Sequence, residues 1–244
     1  MIGMLQSKRT ISVFKAAAIF IAATAYFFLL LYTLFPFLKS NYSLNPSLYW
    51  FITGYFLFIP LFLYAVVMVK REGNRSIAEI LNALNINRLS NKDWIYAIIG
   101  TGATFLFTGA IYAISWLLNK YAGIRIINTT PWFMGEMRPF QGIERLLLLV
   151  WLTMFFFNIV GEELLWRGYI QNRMMRKSAW LTCSLLWAVF HIPFGLDIMI
   201  IALPALLIIP YIFSRRSNTL ISIIIHGAYN GPIFVLIALG VIKE

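Results

Sequence analysis

Uninterrupted apolar runs of about twenty residues constrain this chain more than any other feature. In hydrocarbon every backbone amide must find its partner inside the protein, so a run of that length becomes a membrane-crossing helix. Seven runs are read at 13–34, 48–69, 94–118, 146–170, 179–194, 197–213 and 219–242. The short fifth and sixth flank the turn Pro193-Phe194-Gly195. Composition agrees: 61% of 244 residues are hydrophobic and 12% charged, against about 45–50% and about 25% in soluble domains. The short alternating segments of an outer-membrane barrel do not occur. The expected fold is all-α, a polytopic transmembrane bundle of about 7–8 helices. Residues 1–244 read as one integral membrane domain, with the motif-bearing core at about 145–242. The first run exceeds a signal peptide in length and lacks a cleavage site, so it is expected to remain as an anchor.

A net charge of +11 from 20 Lys+Arg and 9 Asp+Glu would suggest nucleic acid in a soluble protein. Here the basic residues lie between apolar runs, where orientation and anionic lipid account for them and no nucleic-acid partner is implied. Lys8, Arg9 and Lys15 precede the first run; Lys70, Arg71, Arg75, Arg88 and Lys92 follow the second. Arg167, Arg173, Arg176 and Lys177 go with the fourth, and Arg215 and Arg216 with the sixth. These are 14 of the 20, which places the N-terminus in the cytoplasm and the C-terminus outside. The single cysteine, Cys183, cannot close an internal disulfide and is expected to pack within its run.

Two connecting segments have a pattern of their own. Ser76-Ile-Ala-Glu79 is a capping box, and Ile77, Ile80, Leu81 and Leu84 follow at helical spacing. A short amphipathic helix is expected there, packed on the bundle as a linker. The loop from Thr129 to Arg138 holds Trp132 and Phe133, which read as interface anchors.

Ionisable residues inside apolar runs are expensive and mark function. Away from run edges they are Glu162, Glu163, Arg167, His191 and His226, and the amide Asn230 joins them. Glu163 and Arg167 are four apart with the acid first, the favoured order for a pair. His226 and Asn230 also share a helix face, whereas Glu162 points about 100° away from Glu163. Trp187 stands one turn before His191. At 1.5 Å per residue, Glu162 is about 16 Å from Arg173 and His191 about 18 Å from Ala179, with His226 and Asn230 roughly 10–17 Å from Thr219. Three helices therefore bring these groups to a similar depth.

A buried glutamate beside a histidine can take a proton from water. A second histidine and an amide can hold the oxyanion formed when that water adds to a carbonyl. No serine or cysteine sits in a nucleophile motif. Alternatively, His191, His226 and Glu162 could hold zinc, although no His-Glu-x-x-His helix is present.

The sequence resembles the CAAX prenyl protease and bacteriocin-processing (CPBP, or abortive infection) family of intramembrane proteases. Three motifs carry the resemblance: Glu162-Glu163-Leu-Leu-Trp-Arg167, Trp187-Ala-Val-Phe-His191 and His226-Gly-Ala-Tyr-Asn230. The resemblance implies that Glu162 activates water with help from His191, that His226 and Asn230 form the oxyanion site, and that Glu163 and Arg167 support them. It implies no required cofactor, although zinc has been assigned to the family. It also implies a peptide or C-terminal protein tail as substrate, in some members lipidated, and membrane lipid as surroundings. The compact chain looks like the prokaryotic members, which implies a prokaryotic cell membrane. Trp187 is a departure, because the family usually has phenylalanine there. The first 140 residues fit by hydropathy alone. Two rival functions are a proton-coupled transporter, which would show a repeat that is absent here, and a non-catalytic immunity or scaffold protein.

Overall fold

A computed structural model describes residues 9–124, 127–128, 130–134 and 138–241. Lys8, Thr129, residues 135–137 and the Ile242 end of the last run lie outside the described residues. Among the described residues the chain is helical with no strand. The helices are α1 (Val13–Tyr32), α2 (Leu34–Asn41), α3 (Pro46–Arg71), α4 (Ile77–Ala83), α5 (Asn91–Ala122), α6 (Leu147–Glu163), α7 (Ala179–His191), α8 (Leu196–Arg216) and α9 (Thr219–Ala238). A 3-10 turn leads into α6, and a π-helical segment, Leu164–Ile170, continues it.

Local chemistry sets the ends. The Ser76–Glu79 capping box forms as read, with Ser76 Oγ accepting from the Glu79 amide at 3.2 Å and Glu79 Oε2 from the Ser76 amide at 2.9 Å. A second box, Ser90 with Asp93, starts α5, and Gly123 ends it at φ +69°. Pro36 has no N–H to give the Tyr32 carbonyl, so α1 breaks at Thr33 and resumes as α2.

Six helical stretches are long and apolar enough to cross a membrane: Val13–Asn41, Pro46–Arg71, Asn91–Ala122, Gly142–Arg173, Leu196–Arg216 and Thr219–Ala238. The chain is an integral membrane protein. Ala179–Phe194, the seventh expected crossing, is a shorter apolar stretch than these six, and it runs from the Arg173 end of α6 to the turn that packs on Trp132 and Phe133. Pro193 and Gly195, the latter at φ +96°, end it before it reaches full length.

Hydrogen bonds divide the bundle into two poles. At one, the Ile11 amide donates to the Arg173 carbonyl at 3.0 Å and the Thr219 amide to the Asn85 carbonyl at 2.8 Å. Arg173 pairs with Glu72 at 2.7 Å and Arg216 with Asp93 at 2.9 Å at the same pole. At the other, Phe140 donates to the Ala238 carbonyl at 2.8 Å and Asn45 to Glu144 at 3.2 Å. Residues 11 and 238 thus lie at opposite poles. Lys70 and Arg71 at the end of α3 and Arg215 and Arg216 at the end of α8 lie at the first with Arg173, and it is called the basic pole below.

α4 packs on that pole as expected of a linker: Leu84 is buried and accepts from Thr219 Oγ1 at 2.6 Å, while Ile77 is exposed. The outer loop behaves differently from an interface anchor. Trp132 is half exposed, yet its indole N–H donates to the Pro193 carbonyl at 2.8 Å, and Phe133 is buried against Phe35, Trp50 and Phe194. Apolar rings were better used covering the α7–α8 turn than facing lipid headgroups.

Close packing fixes α6. A Cβ on Gly161 would meet the Phe58 carbonyl oxygen of α3 at 2.9 Å, and one on Gly168 the Leu84 carbonyl oxygen at 2.9 Å. These glycines let two backbones approach the helix that carries the carboxylates.

Candidate active site

α6, α7 and α9 each bring polar side chains to one buried cluster, and its hub is Trp187. The indole N–H donates to Glu162 Oε2 at 2.7 Å. The Arg167 guanidinium lies over the ring, 3.6 Å from its centroid. The His191 and His226 rings both meet it edge-on at 5.3 Å. Glu162, Glu163, Arg167, His226 and Trp187 are all buried, His191 is half-buried, and Asn230 is exposed.

The two carboxylates are held differently, as their angular separation required. Glu162 accepts from three N–H groups: Asn158 Nδ2 at 2.9 Å, Trp166 Nε1 at 3.3 Å and Trp187 Nε1 at 2.7 Å. Asn158 and Trp166 stand four residues before and after it, on the same helix face. Glu163 Oε1 accepts from His226 Nδ1 at 2.9 Å, and Oε2 lies 3.2 Å from Arg167 Nε. The expected Glu163–Arg167 pair is therefore present.

The histidine contacts assign their tautomers. His191 Nδ1 lies 2.9 Å from the Trp187 carbonyl oxygen, which can only accept, so Nδ1 carries the proton and Nε2 presents a lone pair. His226 uses Nδ1 toward Glu163 and has Nε2 available. Glu162 and His191 share Trp187 as a neighbour but form no hydrogen bond with each other among the described residues. Asn230, one turn beyond His226, likewise makes no hydrogen bond to a described residue.

Sequence reasoning missed Asn158 and Trp166, although their spacing of four from Glu162 is a signal it could have used. It treated Trp187 as a wall, and the indole N–H makes it a donor as well. Cys183 packs as expected, with its thiol 3.6 Å from the Met174 sulfur. The seven residues after Glu163 are π-helical and fully buried. Such segments are rare and frequently accompany functional sites.

The zinc alternative requires His191, His226 and a carboxylate to aim lone pairs at one point. Among the described residues no three His, Cys, Asp or Glu side chains form such a group. Both Glu162 oxygens already accept N–H groups. The donor set as arranged does not fit a metal.

Residues 144–231 match the family model of the type II CAAX prenyl endopeptidase Rce1-like proteins. The matched segment contains all three motifs and ends one residue after Asn230. The similarity to that family is thus found over the motif-bearing part of the chain. No curated protein matches the chain, and no solved structure does.

Proposed function

We propose that this protein is an intramembrane endopeptidase that hydrolyses a peptide bond with water activated by Glu162 and His191. The convergence of Glu162, Arg167, His191 and His226 on Trp187, with Glu163 bound to both His226 and Arg167, is the observation that carries this reading. Charged and polar groups are costly inside a membrane bundle, and these five come from three separate helices. His191 Nε2 takes a proton from water, and Glu162, a few ångströms behind the shared indole, balances the imidazolium charge. The water oxygen adds to the scissile carbonyl carbon. His226, with Nδ1–H toward Glu163, can donate from Nε2 to the oxyanion when protonated on both nitrogens. Asn230, exposed and without a hydrogen bond to a described residue, supplies the second donor once substrate is seated. Collapse of the tetrahedral species breaks the C–N bond, and the proton held by His191 passes to the leaving amine.

The matched family is named for prenylated CAAX tails, which supports a C-terminal protein tail or peptide, in some cases lipidated, as the substrate class. The gathering of basic residues at one pole supports a cytoplasmic N-terminus in a prokaryotic cell membrane. Glu162 stands about 16 Å from Arg173 and about 23 Å from Leu147 along the helix, so cleavage falls on the cytoplasmic side of the midplane. No metal is required by this scheme.

The test is peptide cleavage by purified protein in detergent, scanning prenylated C-terminal and leader-type peptides by mass spectrometry. Wild type is compared with Glu162→Ala and His191→Ala, each with and without a chelator. Cleavage lost in both variants and kept with chelator supports the scheme. Loss with chelator and recovery with zinc would give the site to a metal. Cleavage unchanged in both variants would overturn the assignment.

A further inference from the structure

Six buried side-chain atoms make no hydrogen bond among the described residues: Glu163 Oε2, Arg167 Nε, Nη1 and Nη2, Gln171 Oε1 and Ser222 Oγ; Glu163 Oε2 and Arg167 Nε are ion-paired with each other at 3.2 Å, and the other four have no polar partner. They come from four residues of one strip. Glu163, Arg167 and Gln171 recur every four residues along α6 and its continuation. On α9, Thr219, Ser222 and His226 recur at three- and four-residue intervals and form a facing stripe. Both ends of this antiparallel contact are fixed. His226 bonds Glu163 at 2.9 Å, and a Cβ on Gly168 would lie 3.3 Å from Thr219 Oγ1. In register, Ser222 falls between Thr219 and His226 just as Arg167 falls between Gly168 and Glu163. Gln171 anchors its amide nitrogen on the Pro210 carbonyl at 2.8 Å, which leaves Oε1 free. It stands two residues from Arg173, at the basic pole.

The chemistry of these atoms selects their ligand. A guanidinium offers five N–H donors, the hydroxyl is donor and acceptor, and the amide and carboxylate oxygens only accept. A metal ion would face the Arg167 cation, and an anion would face Glu163. A molecule that both donates and accepts satisfies every atom, and a buried water ordinarily takes two to four such partners. Unpaired buried polar atoms in a native fold call for this kind of occupant.

We propose that Glu163, Arg167, Gln171 and Ser222 hold a file of internal water that runs from the basic pole to the cluster and supplies the water consumed in hydrolysis. The supply role rests on the hydrolytic reading above; the water site does not. The strip lies between the Glu163–His226 contact and the basic pole, the end of the bundle nearest to polar surroundings.

X-ray radiolytic footprinting of the protein in nanodiscs tests this, because bound water split in place oxidises side chains beside it. Trp187 lies against Arg167, whereas Trp166, also buried, stacks on Phe20 with centroids 3.9 Å apart. Trp187 is expected to oxidise about fivefold faster than Trp166, and Ser222→Val to cut that excess by at least about half. Equal rates in wild type would overturn the water site without any variant being needed. Labelling proceeds without substrate, so fast Trp187 oxidation in a protein that cleaves no peptide would keep the site and remove the supply role. In an active protein, Ser222→Val is expected to lower kcat about tenfold with KM unchanged. An unchanged kcat would also remove that role.

Discussion

Trp187 on α7 donates its indole N–H to the carboxylate of Glu162 on α6 across 2.7 Å. The same ring carries the Arg167 guanidinium on its face, at 3.6 Å. One side chain therefore positions one carboxylate through an edge and, through a face, the cation that pairs with the other. A phenylalanine at this position could do only the second.

Trp187→Phe keeps the ring against Arg167 and removes one of three donors to Glu162. A hydrogen bond to a carboxylate is worth about 1.5–3 kcal/mol, equivalent to about a tenfold to hundredfold loss in rate. Steady-state kinetics on a cleaved peptide should show that loss in kcat with the fold retained.

Glu163→Gln strands a buried guanidinium. Removing one partner of a buried pair costs about 3–5 kcal/mol, whereas replacing both by apolar residues is much milder. Thermal unfolding in detergent should show a large drop for Glu163→Gln and partial recovery in Glu163→Gln/Arg167→Met. Equal stability of the two variants would contradict the pairing.

Gly161→Ala and Gly102→Ala form a matched pair. The first places a methyl 2.9 Å from the Phe58 carbonyl oxygen, while the second meets nothing within 4 Å. Overpacking costs about 1–3 kcal/mol, and an unobstructed helical alanine gains about 0.5–1 kcal/mol over glycine. Melting temperatures should move in opposite directions.

Glu79 gives a pH dependence at the basic pole. The Ser76 amide first, then the Arg75 amide and the Ser76 hydroxyl, hold its carboxyl below the ordinary range. A depressed folded pKa means that the capping contribution is full above the ordinary value of about 4.3 and is lost as pH falls through the folded value. Protection factors of the α4 amides, taken relative to the intrinsic exchange rate at each pH, should fall at acid pH in wild type and stay constant in Glu79→Gln.

Much of this arrangement is legible in the residues. Long apolar runs specify the crossings, because hydrocarbon tolerates little else. The four-residue spacings of Glu163 with Arg167 and of Ser76-x-x-Glu79 specify contacts that depend only on helical geometry. Partners on other helices are less accessible. Nothing in the Trp187 motif says whether the indole N–H points to Glu162 or away, and hydropathy does not show that Trp132 turns inward to Pro193. The shortness of α7 was marked by Pro193 and Gly195, and the run itself is apolar enough to read as a crossing. The π-helical segment has no signature in residue type.

Stopping α7 early has an architectural consequence. Irregular backbone at this depth would be intolerable in contact with lipid, and the Trp132 indole answers the Pro193 carbonyl while Phe133 and Phe194 fill the space around it. That end of the barrel of helices is corked. His191, the last residue of α7, therefore sits directly beneath that plug, and the segment that seals the turn also roofs the histidine.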